Sequence, residues 1–137
     1  MIHIKEEINM DNRKISICMT TWNRYTMPIR AIEQVIDDDR ICEVTIVDDC
    51  STNGDDKRLE SYYKNNTKVK FFRNTVNIDC YRNKHESVLK AEGDWCIIFD
   101  SDNIIDKKYL DILYLIPVWD KQTVYCPQFL KPTADFN

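Results

Sequence analysis

Trp95-Cys96-Ile97-Ile98-Phe99-Asp100-Ser101-Asp102-Asn103 is the stretch on which the fold turns. Five apolar residues run directly into two aspartates spaced one apart. An apolar run of this length predicts a strand buried on both faces, with Asp100 and Asp102 in the loop at its carboxyl end. Two carboxylates this close repel unless a positive charge lies between them. A hard divalent cation, Mn²⁺ or Mg²⁺, takes oxygen ligands and often shares its coordination with substrate phosphates. The plainer alternative is that the aspartates cap the following helix, since Asp favours N-caps and first turns.

Working outward, strands and helices alternate. Ile15 to Met19 is a short apolar strand that runs into the polar loop Thr20-Thr21-Trp22-Asn23-Arg24. A helix is predicted from Thr26 to Asp37, with Pro28 in its first turn and Ala31, Ile32, Val35 and Ile36 on one apolar face. Glu43 to Val47 is β-branched and forms the second strand. It ends in Asp48-Asp49 and the turn-rich Cys50-Ser51-Thr52-Asn53-Gly54. A second helix to Lys64 turns Leu59, Tyr62 and Tyr63 inward, and Val69 to Phe72 is the third strand. A third helix spans Tyr81 to Glu92, with Val88, Leu89 and Ala91 on its buried side and Gly93 as the residue that ends it. After the Asp-x-Asp strand, Asp106 to Leu115 is a fourth helix, and Thr123 to Cys126 is a last strand candidate. The pattern is an α/β domain with a mainly parallel, Rossmann-like sheet and helices on both faces. The expected organisation is a polar extension over 1–13, one domain over 14–126, and a tail over 127–137 where a second half would begin.

Composition narrows the function classes. The 137 residues are enough for one core, and 43% hydrophobic with 31% charged is ordinary for a soluble protein. A net charge of −4 argues against nucleic-acid binding. No apolar run approaches the roughly 20 residues of a transmembrane segment, and the first residues lack a signal peptide's apolar core. The six cysteines include no C-x-x-C pair, so they read as reduced thiols of a cytoplasmic chain, with Cys18 and Cys96 as small buried hydrophobes. Two glycines, Gly54 and Gly93, leave no room for a Gly-rich phosphate loop.

Ligands of open α/β sheets bind at the carboxyl ends of the strands. Those ends carry Thr20, Thr21, Trp22 and Arg24; Asp48 and Asp49; Asn74 and Asn77, leading to Arg82 and Lys84; and Asp100 and Asp102. A stacking aromatic, an acceptor for a ring N–H, basic groups and a metal-type acid pair together suit a nucleoside diphosphate. Each has a plainer counterpart. Trp22 can be an ordinary aromatic, Arg24 a solvated charge, and Arg82 and Lys84 the decoration of a helix start. Asp48, adjacent to Asp49, is expected to orient the loop rather than touch ligand.

The ordered segments Ile-Ser-Ile-Cys-Met-Thr-Thr-Trp-Asn-Arg, Val-Thr-Ile-Val-Asp-Asp-Cys-Ser, Arg-Asn-Lys and Ala-Glu-Gly-Asp-Trp-Cys-Ile-Ile-Phe-Asp-Ser-Asp-Asn resemble the inverting family-two glycosyltransferases of the GT-A fold, over Lys14 to Leu115. The resemblance implies a metal-dependent enzyme that moves a sugar from a nucleotide-sugar, expected to be a UDP-sugar, to a glycan, lipid or protein acceptor. It implies that Thr20 and Trp22 contact the nucleoside and that Asp49 accepts from the base N3–H. Arg82 lies near the nucleotide, Asp100 contacts the ribose or metal, and Asp102 contacts the metal, Mn²⁺ or Mg²⁺. Three departures accompany it. Cys50 stands where the family often has glycine, Asn77-Ile78-Asp79 lacks the usual glycine, and no residue matches the catalytic base; Asp135 is a carboxylate without a supporting motif. Two other readings stay open: a non-catalytic nucleotide-binding module of a larger synthase, which the unmatched base favours, and a nucleotidyltransferase, which would need a Gly-rich basic loop after the first strand that this sequence lacks.

Overall fold

The structure is a computed structural model that describes residues 13–127. Eight elements alternate: β1 (Ile15–Thr21), α1 (Thr26–Ile32), β2 (Ile41–Asp48), α2 (Asp55–Tyr63), β3 (Val69–Arg73), α3 (Cys80–Leu89), β4 (Trp95–Asp100) and α4 (Lys107–Tyr114). The four strands form one parallel sheet in the order β3-β2-β1-β4. The expected α/β architecture is therefore present.

Alternation along each strand separates two unlike faces. Ile15, Ile17 and Met19 of β1 and Val44 and Ile46 of β2 share a core with Ala31 and Ile32, Leu59 and Tyr63, and Leu110 and Leu113, so α1, α2 and α4 cover this side. The opposite face carries Ser16, Cys18, Thr20 and Thr45, all buried, and α3 lies over it. Its seam is polar. Ser87 and Asn83 are the buried residues of α3. Thr45 Oγ1 donates to Ser87 O at 3.1 Å, and Asn83 Nδ2 donates to Val47 O at 3.0 Å.

Several boundaries differ from the expectations, for identifiable reasons. α1 ends at Ile32 and the chain continues in hydrogen-bonded turns, Val35 N and Ile36 N both donating to Ile32 O and Asp38 N to Val35 O, while Val35 stays fully buried. The apolar period thus outlasts the helix. Tyr62 is exposed because Tyr63 takes the core position. On α3, Leu89 is 65% exposed, since the face that meets the sheet is the one bearing Asn83 and Ser87. That helix ends at Leu89 with Lys90 as its cap, so Gly93 belongs to the turn before β4. A Cβ there would stand 2.8 Å from Ser16 N and 2.9 Å from Lys14 O, and this close approach is what the glycine permits.

β4 is not buried on both faces. It is a sheet edge among the described residues, and Cys96 and Ile98 face outward because α3 sits over β1 and β2. Thr123 to Cys126 forms no strand. There the Tyr125 carbonyl accepts from Tyr109 Oη, and the Tyr125 ring joins Trp95 and Trp119 in an aromatic cluster at the amino end of β4. Residues 1–12 and 128–137, including Asp135, lie outside the described residues. No described helix is long and apolar enough to cross a membrane.

Candidate functional site

The chain proceeds β1, β2, β3 in one direction and then returns to place β4 on the other side of β1. The loops after β1 and β4 therefore diverge and open a crevice at the carboxyl ends. Register puts Thr20 beside Asp100 across that point, and Thr21 beside Asp48 on the other side.

Hydrogen bonds knit the loops after β1, β2 and β3 into one rim. Asp49 N donates to Thr21 O at 2.9 Å. Asn23, in the left-handed region, donates through its backbone N–H to Ser51 Oγ at 2.7 Å and accepts from Thr52 N through Oδ1 at 2.8 Å. Asp48, fully buried, accepts from both Ser51 N and Ser51 Oγ. The guanidinium of Arg73 lies 3.4 Å from Asp48 and 3.1 Å from Asp56 and donates to Ser51 O. Asp48 is thus committed to holding the loop. Asp49 is buried at the rim, and two donors meet at its Oδ1: Asn74 Nδ2 and Ile78 N, each at 2.9 Å. Asn74 Nδ2 also donates to Asn83 Oδ1 at 2.9 Å, so the buried asparagine of α3 supports the aspartate through one intermediary.

Cys50 and Asp79, the two positions where the resemblance implies glycine, have backbones that glycine would favour. Cys50 has φ +61° and Asp79 has φ +75° with ψ 155°. These are regions that side chains rarely occupy, held here by the rim's hydrogen bonds and by the cap that Asp79 makes to Cys80 N.

Asp100 and Asp102 each meet one cation. Lys84 Nζ lies 2.8 Å from Asp100 Oδ1 and 3.0 Å from Oδ2, and this hydrogen bond holds the ammonium's pKa above the ordinary lysine value. Arg24 donates to Asp102 Oδ2 at 3.2 Å and to the buried Ser101 Oγ at 3.4 Å. Both carboxylates are half-exposed. Among the described residues no group of three or more His, Cys, Asp or Glu side chains gathers as a complete metal cage. The donor set suits a hard divalent cation that completes its shell with waters and substrate oxygens.

Trp22 stands in the β1 loop with 51% of its surface exposed, a flat apolar face on the rim. Arg82 lies on the exposed side of α3, where it lines a surface groove with Ile78, Tyr81, His85 and Glu86. The helix turns Lys84, two residues on, toward Asp100 instead. The sequence set Lys84 beside Arg82 and the resemblance singled out Arg82; it is the phase of α3 on the sheet that gives the contact with Asp100 to Lys84. Ser51 and Asn83 stand inside the quoted segments without an assigned role, and Arg73 belongs to none of them; what these three do exists only in the contacts.

Residues 16–137 match the family described as Glycosyl transferase family 2. The abequosyltransferase RfbV of Salmonella typhimurium (strain LT2) is 33% identical over 103 residues, which cover 72% of this chain and 31% of RfbV. The chain spans about a third of the length of the curated relatives it matches. Among solved structures, S. aureus TarS 1-349 in complex with UDP superposes with a TM-score of 0.62 at 25% identity, over 74% of this chain and 31% of that one. GalNAc-T7 with UDP, GalNAc and Mn²⁺ superposes with a TM-score of 0.60 at 24% identity, over 65% of this chain and 18% of that one. The fold is the GT-A fold of such glycosyltransferases.

Proposed function

The chain belongs to glycosyl transferase family 2, and on that premise we propose that it forms the donor-binding part of an inverting, metal-dependent glycosyltransferase whose donor is a UDP-sugar. The observation that carries this reading is the adjacency of Thr20 and Asp100 at the sheet's switch point, with Asp49 on the same rim. The UDP complex of TarS supports the choice of nucleotide.

In this reading Trp22 stacks on the base, and Thr20 lies beneath the nucleoside. Asp49 accepts from the uracil N3–H through Oδ2, because Oδ1 is already engaged by Asn74 and Ile78. Asp100 contacts the ribose or the metal, and Asp102 contacts the metal. Arg24 lies beside Asp102, and Arg82 approaches the nucleotide from α3. A divalent cation, Mn²⁺ or Mg²⁺, held by Asp102 and Asp100 would neutralise charge developing on the leaving diphosphate. The acceptor, whether glycan, lipid or protein, is deprotonated by a base outside the residues assigned above, and its oxygen attacks the anomeric carbon from the face opposite the diphosphate. A cytoplasmic location, where nucleotide-sugars are at hand, belongs to the same proposal.

Calorimetric titration of UDP and GDP, each with and without Mn²⁺, tests it on the wild type and on Asp102→Ala. The expected result is Mn²⁺-dependent binding of UDP in preference to GDP, lost in Asp102→Ala. Absence of nucleotide binding under every condition would refute the assignment for this chain.

A further inference from the structure

Both acids of the Asp-x-Asp pair are already neutralised by side chains of this protein. Lys84 reaches Asp100 from α3, and Arg24 reaches Asp102 from the β1 loop. We infer that Arg24 and Lys84 are exchangeable counter-ions: they occupy the two carboxylates until a divalent cation takes them, and then transfer to the diphosphate oxygens. This inference rests on the nucleotide-sugar reading above.

The energetics favour exchange over a permanent lock. Both carboxylates and the Arg24 side chain are more than 40% exposed, and Lys84 is about a third exposed. Ion pairs of this kind are weak, so releasing the cations costs little. A divalent cation cannot share the carboxylates with an ammonium and a guanidinium at hydrogen-bonding distance without strong like-charge repulsion. Adding that ion to four formally cancelling charges leaves an excess of two positive charges, which a diphosphate removes. Metal and nucleotide should therefore bind cooperatively, and the two released cations have a destination suited to them, since Arg and Lys both pair with phosphate. The anchors allow the movement. Lys84 sits on a helix fixed by the buried Asn83 and Ser87 beside it, so its ammonium swings on a flexible stem about a rigid base. Arg24 hangs from a loop pinned at Asn23.

The exchange predicts effects of opposite sign, which a merely structural role would not produce. In Lys84→Gln and in Arg24→Gln, Mn²⁺ affinity measured without nucleotide, by electron paramagnetic resonance of the free ion, should rise roughly 2–5-fold, because a competing cation has gone. UDP affinity at saturating Mn²⁺, measured by calorimetry, should fall roughly tenfold or more, because a charged hydrogen bond to the diphosphate has gone. Lys84→Arg should restore both values toward wild type. Circular dichroism confirms that each variant is folded. Mn²⁺ affinity that is unchanged or lower in both Gln variants overturns the exchange, as does UDP affinity that is unchanged. So does a wild type that binds no Mn²⁺. Tighter Mn²⁺ binding in both variants, with no UDP binding by any form, supports the carboxylate half of the exchange and places the failure with the nucleotide reading.

Discussion

Asn83→Ala tests the polar seam between α3 and the sheet. Asn83 is 1% exposed, on the face where a hydrophobic contact would be ordinary. Its side chain makes two bonds: Nδ2 donates to Val47 O at 3.0 Å, and Oδ1 accepts from Asn74 Nδ2 at 2.9 Å. Truncation removes both and leaves a small gap under the helix. Neither partner is wholly orphaned, because Asn74 keeps Asp49 and Val47 lies within β2, paired between β1 and β3. Each lost bond then costs about 1 kcal/mol, and with the gap the total is roughly 2–3 kcal/mol. Urea denaturation followed by far-ultraviolet circular dichroism should show a lower midpoint with an unchanged slope. Asn74→Ala and the double variant close a thermodynamic cycle, in which a coupling above about 0.5 kcal/mol is expected for residues in direct contact. Because Asn74 also orients Asp49, Asn83→Ala should weaken UDP binding several-fold. A loss below about 0.5 kcal/mol, or a vanishing coupling energy, would refute the claim that this asparagine holds the site together.

The other predictions concern backbone, packing and charge. Asp79 has φ +75° and caps Cys80 N; Asp79→Ala loses the cap and keeps the strain, whereas Asp79→Gly relieves the strain, so the glycine variant should be more stable than the alanine variant by about 1–2 kcal/mol in the same urea assay. Gly93→Ala places a methyl against Ser16 and the Lys14 carbonyl and should cost about 1–3 kcal/mol, read as a lower Tm; a thermally neutral variant would show that this turn can move. Asp38 is held at a pKa of about 2 by its hydrogen bonds from Arg40, below its ordinary 3.8. A depressed folded-state pKa contributes stability that is fully present above about pH 4 and lost as pH falls toward 2. Asp38→Asn should therefore be about 2 kcal/mol less stable than wild type at pH 7, with the difference closing by pH 2, in denaturation curves measured across that range.

The alternation of strand and helix, the parallel sheet and the acidic strand end were legible in residues 14–115, because apolar periodicity and turn residues are local signals. The two missing family glycines were legible as departures. That the backbone nevertheless takes positive φ at Cys50 and Asp79 was not, since it depends on hydrogen bonds from segments distant in sequence. Helix length was misread where, after Ile32, hydrogen-bonded turns continue an apolar stripe. The buried side of α3 was misread because polar Asn83 and Ser87, rather than Leu89, meet a sheet face that is itself polar. The outward face of β4 was misread because an apolar strand carries no mark of whether a helix covers it. The residue types on the site, and their order along the chain, were thus set locally. Which of them touch was decided only when the sheet brought the end of β4 beside that of β1, and when the phase of α3 selected Lys84 to meet Asp100 while Arg82 stayed on the helix's exposed side.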